Sequence, residues 1–244
     1  MALASIVYAD ERIVVIDKPA GVSMATRRSQ PAAALARLLA AVSAEDVALH
    51  GLDAPNLALV HRLDVGTSGL VVVARDPDAH RAVSLAFSQR RVQKKYLALV
   101  WGHPRPMNGV WALPLGPDRR DRRKMRVEAT GRPANSEYTT AARASHVALL
   151  VLAPRTGRTH QLRVHCAHAG HPIVGDDLYG GPRHRGIRDE ALRSCLAPSH
   201  TYLHAWRLHL PATGETRELI AEAVVPDDFA ATCAFLAISI PAAD

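Results

Sequence analysis

Apolar residues along the chain fall mostly in short, often β-branched runs separated by charged or turn-forming residues, the pattern of a sheet-rich protein. Ile6 to Ala9 and Ile13 to Asp17 are two such runs, parted by Asp10-Glu11-Arg12 and closed by Lys18-Pro19-Ala20-Gly21, and they predict paired strands. Leu57 to Val60 leads into a polar stretch, 61–69, and Leu70 to Ala74 resumes an apolar strand, which places the polar residues on a loop between strands. Lys95 to Trp101, Glu137 to Ala142, Val147 to Ala153, Tyr202 to Leu208 and Glu215 to Ile220 predict further strands. Helices are predicted over the Ala/Leu-rich Pro31 to Val42 and from an Asp76-Pro77 start to about Gln89. Two more are predicted over Thr159 to Ala169, closed by Gly170, and over Pro226 to Ala237. Ser43 to Pro55 reads as a polar connection. No repeat, low-complexity tract or Gly/Ser linker interrupts the pattern, so one mixed α+β domain is the economical expectation.

The 244 residues, 48% of them hydrophobic, are enough to bury a sizeable core. The 30 Lys+Arg against 23 Asp+Glu leave a net charge of +7, which favours a polyanionic partner, nucleic acid first, though a solvated basic face would give the same balance. Cys166, Cys195 and Cys233 are odd in number and include no Cys-x-x-Cys pair, arguing against a disulfide framework or a cysteine zinc site and for a reducing, cytoplasmic setting. The N-terminus carries no basic leader, and no apolar run is long enough to span a bilayer, so no membrane association is expected.

Several segments could carry chemistry. Asp64 sits between Leu63 and Val65, ahead of Gly66-Thr67-Ser68-Gly69, as either a reactive carboxylate on a constrained loop or a residue that caps its own turn. Leu70 stands where a hydrolase G-x-S-x-G elbow needs glycine, which leaves Ser68 as a turn residue. Phosphate-cradling glycine motifs for nucleotide hydrolysis or dinucleotide redox chemistry are missing. His160, His165, His168 and His171 cluster around Cys166, but without H-E-x-x-H or a shared tight face; no metal site is expected. Arg155-Thr156-Gly157-Arg158 precedes a helix start suited to anions, and Arg163, between Leu162 and Val164, is placed to meet a buried carboxylate. Arg119, Arg120, Arg122, Arg123, Lys124 and Arg126 form a basic loop or hairpin, either a phosphate-binding element or a solvated charge run. Tyr96, beside Lys94 and Lys95, suits stacking on an unpaired base or plain strand packing.

Taken in order, these segments resemble the RluA-type family of pseudouridine synthases. The resemblance rests on Val15-Ile16-Asp17-Lys18-Pro19-Ala20-Gly21, on His61-Arg62-Leu63-Asp64 followed by Thr67-Ser68-Gly69, on Lys95-Tyr96 and on Arg123-Lys124-Met125. It continues through Thr156 to His165, Gly170 to Asp176 and Leu203-His204-Ala205. It implies an α+β fold: a single catalytic domain, residues 1–244, on a mixed, mainly antiparallel sheet with flanking helices and loops, and no separate S4-like RNA-binding domain. It further implies an isomerase that converts uridines of transfer or ribosomal RNA stem-loops to pseudouridine, with no cofactor and no metal, as a monomer without an obligate protein partner. Asp64 would be the nucleophile, Tyr96 the residue stacking on the target uracil, Arg163 the ion-pair partner orienting the carboxylate, and Arg62 the residue that holds or replaces the flipped nucleotide. A protein of the same fold that binds RNA without turnover is the rival reading. Val65-Gly66 and Val22-Ser23-Met24-Ala25 depart from the family pattern, which bears on target choice more than on chemistry.

Overall fold

The computed structural model describes residues 3–25 and 32–242. Among them the order is β1 (Ser5–Ala9), β2 (Ile13–Lys18), α1 (Ala33–Leu39), α2 (Ala44–Leu49), β3 (Ala58–Leu59), β4 (Ser68–Ala74), α3 (Pro77–Ser88) and β5 (Gln93–Trp101). There follow β6 (Asn108–Ala112), β7 (Leu115–Pro117), β8 (Met125–Val127), β9 (Asn135–Arg143), β10 (Val147–Pro154), α4 (Gln161–His168) and a 3-10 turn at Arg183–Gly186. The order ends with α5 (Glu190–Cys195), β11 (Leu203–Leu210), β12 (Leu219–Glu222) and α6 (Asp227–Phe235). Two compact units result: the described residues up to Lys94 with Ala205–Val224, and Lys95–His204 with the described residues from Val225 onward. The fold is α+β on a mixed, mostly antiparallel sheet: β1–β2, β2–β4, β5–β10 and β9–β10 pair antiparallel, and among the described residues Ala4 and Val42 form a parallel bridge.

In the first unit β2 lies between β1 and β4, in a register that sets Lys18 opposite Gly69 and Asp17 opposite Leu70. Ile13, Val15, Leu70 and Val72 face Val83 and Ala86 of α3, with Leu208, Leu210 and Ala221 completing the cluster. Val14, Ile16, Val71 and Val73 on the opposite face are equally buried, so β2 and β4 are continuous apolar runs and show no alternation. Each such side chain contributes about 1.5–3 kcal/mol on leaving water. The Asp76 side chain accepts the Asp78 and Ala79 N–H groups at 2.9 Å, with Pro77 in the first turn, so α3 starts where the sequence places it. Gly69 has φ +109, and a β-carbon there would lie 2.3 Å from the Ala205 carbonyl oxygen, so only glycine allows this approach.

In the second unit the order is β5-β10-β9-β6, packed through Ala98, Val100, Leu150 and Leu152 onto Leu162 and Cys166 of α4. The hairpin β7–β8 closes on α4 through Leu115, Val164 and Met125.

The elements differ from expectation in several places, and β6 at Asn108–Ala112 is a strand the sequence pattern did not predict. The polar connection 43–55 contains α2, started by Ser43, whose hydroxyl oxygen accepts the Asp46 N–H at 3.0 Å; none of its residues is buried, so it has no apolar period to reveal it. α5 likewise buries none of its residues and has no apolar period in the sequence. α4 begins at Gln161, two residues late, because His160 takes a left-handed conformation, φ 54. The strand expected over 215–220 is β12 at Leu219–Glu222, because Thr213 and Thr216 close a tight turn at 2.9 and 3.0 Å. Pro31, the expected start of the first helix, lies outside the described residues.

Candidate active site

The first unit carries Asp64. Its loop is pinned from several directions. The Gly21 N–H donates to the Val65 carbonyl at 2.7 Å, the Leu63 N–H approaches the Met24 sulfur at 3.4 Å, and the Thr67 N–H closes the turn on the Asp64 carbonyl at 3.1 Å. Upstream, the Val60 N–H donates to the Val72 carbonyl, while the Val72 N–H donates to His61 Nε2, both at 3.1 Å. The His61 ring stacks on Phe87 with centroids 4.7 Å apart. Burial, with Lys94 adding to it, holds the ring neutral by pushing its pKa down to about 3. His61 is thus a fixed acceptor that ties the loop to β4. Leu63, Thr67, Ser68 and Gly69 are buried, Asp64 is half-buried, and Arg62 and Val65 are exposed.

Lys18 is the residue whose importance the sequence did not reveal. A lysine before proline reads as the polar end of a strand, yet its side chain is fully buried. Its ammonium donates to the Pro19 carbonyl at 2.9 Å and the Val22 carbonyl at 3.2 Å. Desolvation lowers its pKa to about 8, while Asp64 and, less strongly, Asp17 favour the charged form. The Asp64 carboxylate therefore lies in the field of a buried cation of its own unit. The signals in sequence are its place in the Val15–Gly21 segment of the resemblance and its position two residues after the β-branched run Ile13 to Ile16.

The second unit carries Tyr96 and Arg163. Tyr96, half-buried in β5, packs against the cluster of Ala98, Leu150 and Leu162. Arg163 points inward from α4, and the expectation of a buried carboxylate partner is met by Asp176: Nε donates to Oδ2 and Nη2 to Oδ1, both at 2.8 Å. Asp176 is 2% exposed and also accepts the Leu178 and Tyr179 N–H groups at 3.2 Å, so its lone pairs are well used. The guanidinium lies 5.1 Å from the Tyr179 ring centroid, a cation–π arrangement. The Tyr179 hydroxyl oxygen accepts the Met125 N–H at 2.8 Å and the hydroxyl shares a hydrogen bond with His160 Nδ1 at 2.8 Å, joining the β7–β8 hairpin to the start of α4.

α4 is aimed by a buried polar chain. Gln161 Oε1 accepts the Thr156 hydroxyl at 2.7 Å and the Arg158 N–H at 3.0 Å, while Nε2 donates to the Asn135 carbonyl and the Ser136 hydroxyl oxygen at 2.9 Å. Ser136 in turn meets His165 Nδ1 at 2.9 Å, and His165 Nε2–H donates to the Leu113 carbonyl at 3.1 Å. Burial lowers the His165 pKa and keeps it neutral. His171 bonds the Trp101 carbonyl at 2.9 Å. These histidines are structural, and among the described residues no group of three or more His, Cys, Asp or Glu is arranged to hold a metal ion.

The basic stretch forms the β7–β8 loop. Asp118 caps it through the Arg120 and Asp121 N–H groups at 2.7 and 3.0 Å. Arg123 is held in a fork by Asp121 at 3.0 and 2.8 Å, which pulls that carboxyl down to about 2, and Arg126 pairs with Glu128. Arg119, Arg120 and Arg122 are exposed and have no acidic partner among the described residues. Two of the six basic residues, Arg123 and Arg126, are thus tied to acids of the hairpin, and Arg119, Arg120 and Arg122 are left for solvent or a polyanion.

The RNA pseudouridylate synthase family is matched over residues 12–168. The dual-specificity RNA pseudouridine synthase RluA of Salmonella typhi is 40% identical over 228 residues, spanning 92% of this chain and 93% of that protein. The protein of the same description from Escherichia coli K12 is 39% identical over 191 residues, 77% of this chain and 82% of that one. Among solved structures, human RNA pseudouridylate synthase domain containing 4 superposes with a TM-score of 0.76 at 30% identity, covering 98% of this chain and 95% of that one.

Proposed function

Because the chain belongs to the RNA pseudouridylate synthase family, and so is an isomerase acting on uridine in RNA, we propose that Asp64 is its nucleophile and that its targets are uridines in transfer or ribosomal RNA stem-loops. The observation that carries the assignment is the Asp64 loop, whose backbone is bonded to Gly21 and, through His61, to β4, while the carboxylate stays half-open beside buried Lys18. A nucleophile held in this way loses little orientational freedom on reaction.

The target uridine first leaves its stack, at a cost of about a few kcal/mol. Tyr96 offsets part of it by stacking on the uracil, and exposed Arg62 fills or holds the vacated place. Asp64 attacks C1′, and the C1′–N1 bond breaks with its electron pair left on the base. The uracil turns, C5 bonds to C1′ and displaces the carboxylate, C5 loses its proton and N1 gains one. The sum is an isomerisation with no change of redox state, so no cofactor is needed. Arg163, set by Asp176 and Tyr179, orients the Asp64 carboxylate. The Salmonella typhi relative's description as dual-specificity supports action on more than one RNA. The chain, 1–244, works as one catalytic domain and as a monomer without an obligate partner; its three free cysteines suit the cytoplasm, and no helix among the described residues is long and apolar enough to cross a membrane.

Tritium release from RNA labelled at uridine C5 tests this, with transfer and ribosomal RNA in parallel. Wild type releases tritium, and Asp64→Asn releases none while its RNA affinity stays within about three-fold, a change of less than 1 kcal/mol. Undiminished release by Asp64→Asn overturns the assignment, and binding without release by wild type overturns catalysis.

A further inference from the structure

Lys94 stands at the edge of the first unit with its ammonium 5.6 Å from the Phe87 ring centroid, on the ring that also stacks against His61. It is half-buried, and among the described residues no carboxylate pairs with it and no side chain or carbonyl accepts its protons. The neighbouring imidazole cannot serve, since Nε2 is taken by the Val72 N–H. Burial lowers the lysine's pKa, so its charged form is held at a cost. A partly desolvated cation facing only an aromatic ring lacks the counter-ion that such groups in folded proteins normally have. The basic residues of the β7–β8 loop differ: Arg123 and Arg126 carry their own acids.

What lies beside Lys94 indicates the anion. His61, three residues before Asp64, is on the same Phe87 ring, and Arg62 follows it on the surface. We propose that Lys94 is a phosphate site for the bound RNA: a backbone phosphate close to the target nucleotide completes the half-buried ammonium and fixes the strand against the Asp64 loop. The site rests on the reading of the chain as an enzyme of RNA and adds to it a positioning residue for the strand that carries the uridine. Lysine suits the task as a compact charge that meets a phosphate without a bidentate fork, and its aromatic floor limits where the ammonium can go.

Binding of a transfer RNA that serves as substrate, measured over a series of salt concentrations, is the test. Lys94→Met should weaken binding several-fold and reduce the slope of log K against log salt by about 0.7–0.9, the value for one phosphate contact. Lys94→Arg, keeping the charge, should retain most of the slope. The control Arg81→Ala removes an exposed cation already paired with Asp78, and should leave the slope as it is. Because the lysine makes no ion pair or hydrogen bond among the described residues, and a methionine side chain can keep the contact with Phe87, Lys94→Met should melt no lower than wild type. An unchanged slope for Lys94→Met in a folded protein, or a lowered Tm with unchanged RNA binding, overturns the phosphate site. Tritium release by wild type on the same RNA separates the two ideas: release with an unchanged slope rejects the phosphate site alone, a reduced slope without release rejects turnover alone, and no binding of any RNA rejects both.

Discussion

His61, three residues ahead of the proposed nucleophile, invites a role in proton transfer, but its surroundings give it another. With Nε2 accepting the Val72 N–H and a pKa pushed down to about 3, it is neutral at neutral pH. The unfolded chain binds a proton there near pH 6.5 and the folded protein does not, so stability is complete above that value and is lost as pH falls towards 3. Because the ring keeps some exposure, we expect a loss of about 1–2 kcal/mol between pH 6.5 and 4.5. Urea unfolding of wild type and His61→Gln should show this acid slope in wild type and a shallower one in the variant; parallel slopes would refute the assignment. At this scale sequence was informative about polar pairing and poor about burial. That Arg163 would face a carboxylate follows from its place between two apolar helix residues, and Asp176 is that partner. The hydrogen bonds of Lys18 are local, to the Pro19 and Val22 carbonyls, but the strand pairing that sets it opposite Gly69 of β4 joins residues far apart in the chain.

At the scale of elements, α4 depends on Gln161, whose amide makes all four hydrogen bonds open to it and binds the Thr156 turn to β9. Gln161→Leu leaves buried donors and acceptors unmet, at about 1–3 kcal/mol for each group stranded. We expect a Tm several degrees lower and, because Arg163 rides on the same helix, a kcat reduced more than ten-fold with KM little changed. A variant that melts early yet turns over normally would show that Gln161 does not position Arg163. Elements with both an apolar face and a cap, such as α3, were legible from the chain. α2 and α5 were not, because each has only a cap and buries nothing. β12 was displaced because a threonine-rich turn looks β-prone whether or not it pairs.

For the whole molecule, the +7 charge takes on meaning through its distribution. Arg119, Arg120 and Arg122 replaced together by alanine should lower the salt slope of RNA binding by about 2, three contacts at roughly 0.7 each, and leave Tm unaltered. Arg123→Ala should do the opposite, disturbing the hairpin more than binding, because Asp121 holds that guanidinium. Circular-dichroism melting and filter binding on these two variants distinguish the outcomes. The order of the motifs along the chain already determined the family, the reaction class and which carboxylate, tyrosine and arginine to examine, because a reacting group and its immediate loop are adjacent in sequence. What the tertiary structure decided is the environment of those groups: that Lys18 is buried within the field of Asp64, that His61 is a neutral anchor, that Asp176 holds Arg163, and that among the described residues no carboxylate pairs with Lys94. Burial and ion pairing are made by residues far apart in the chain, and they exist only once the sheets and helices have packed.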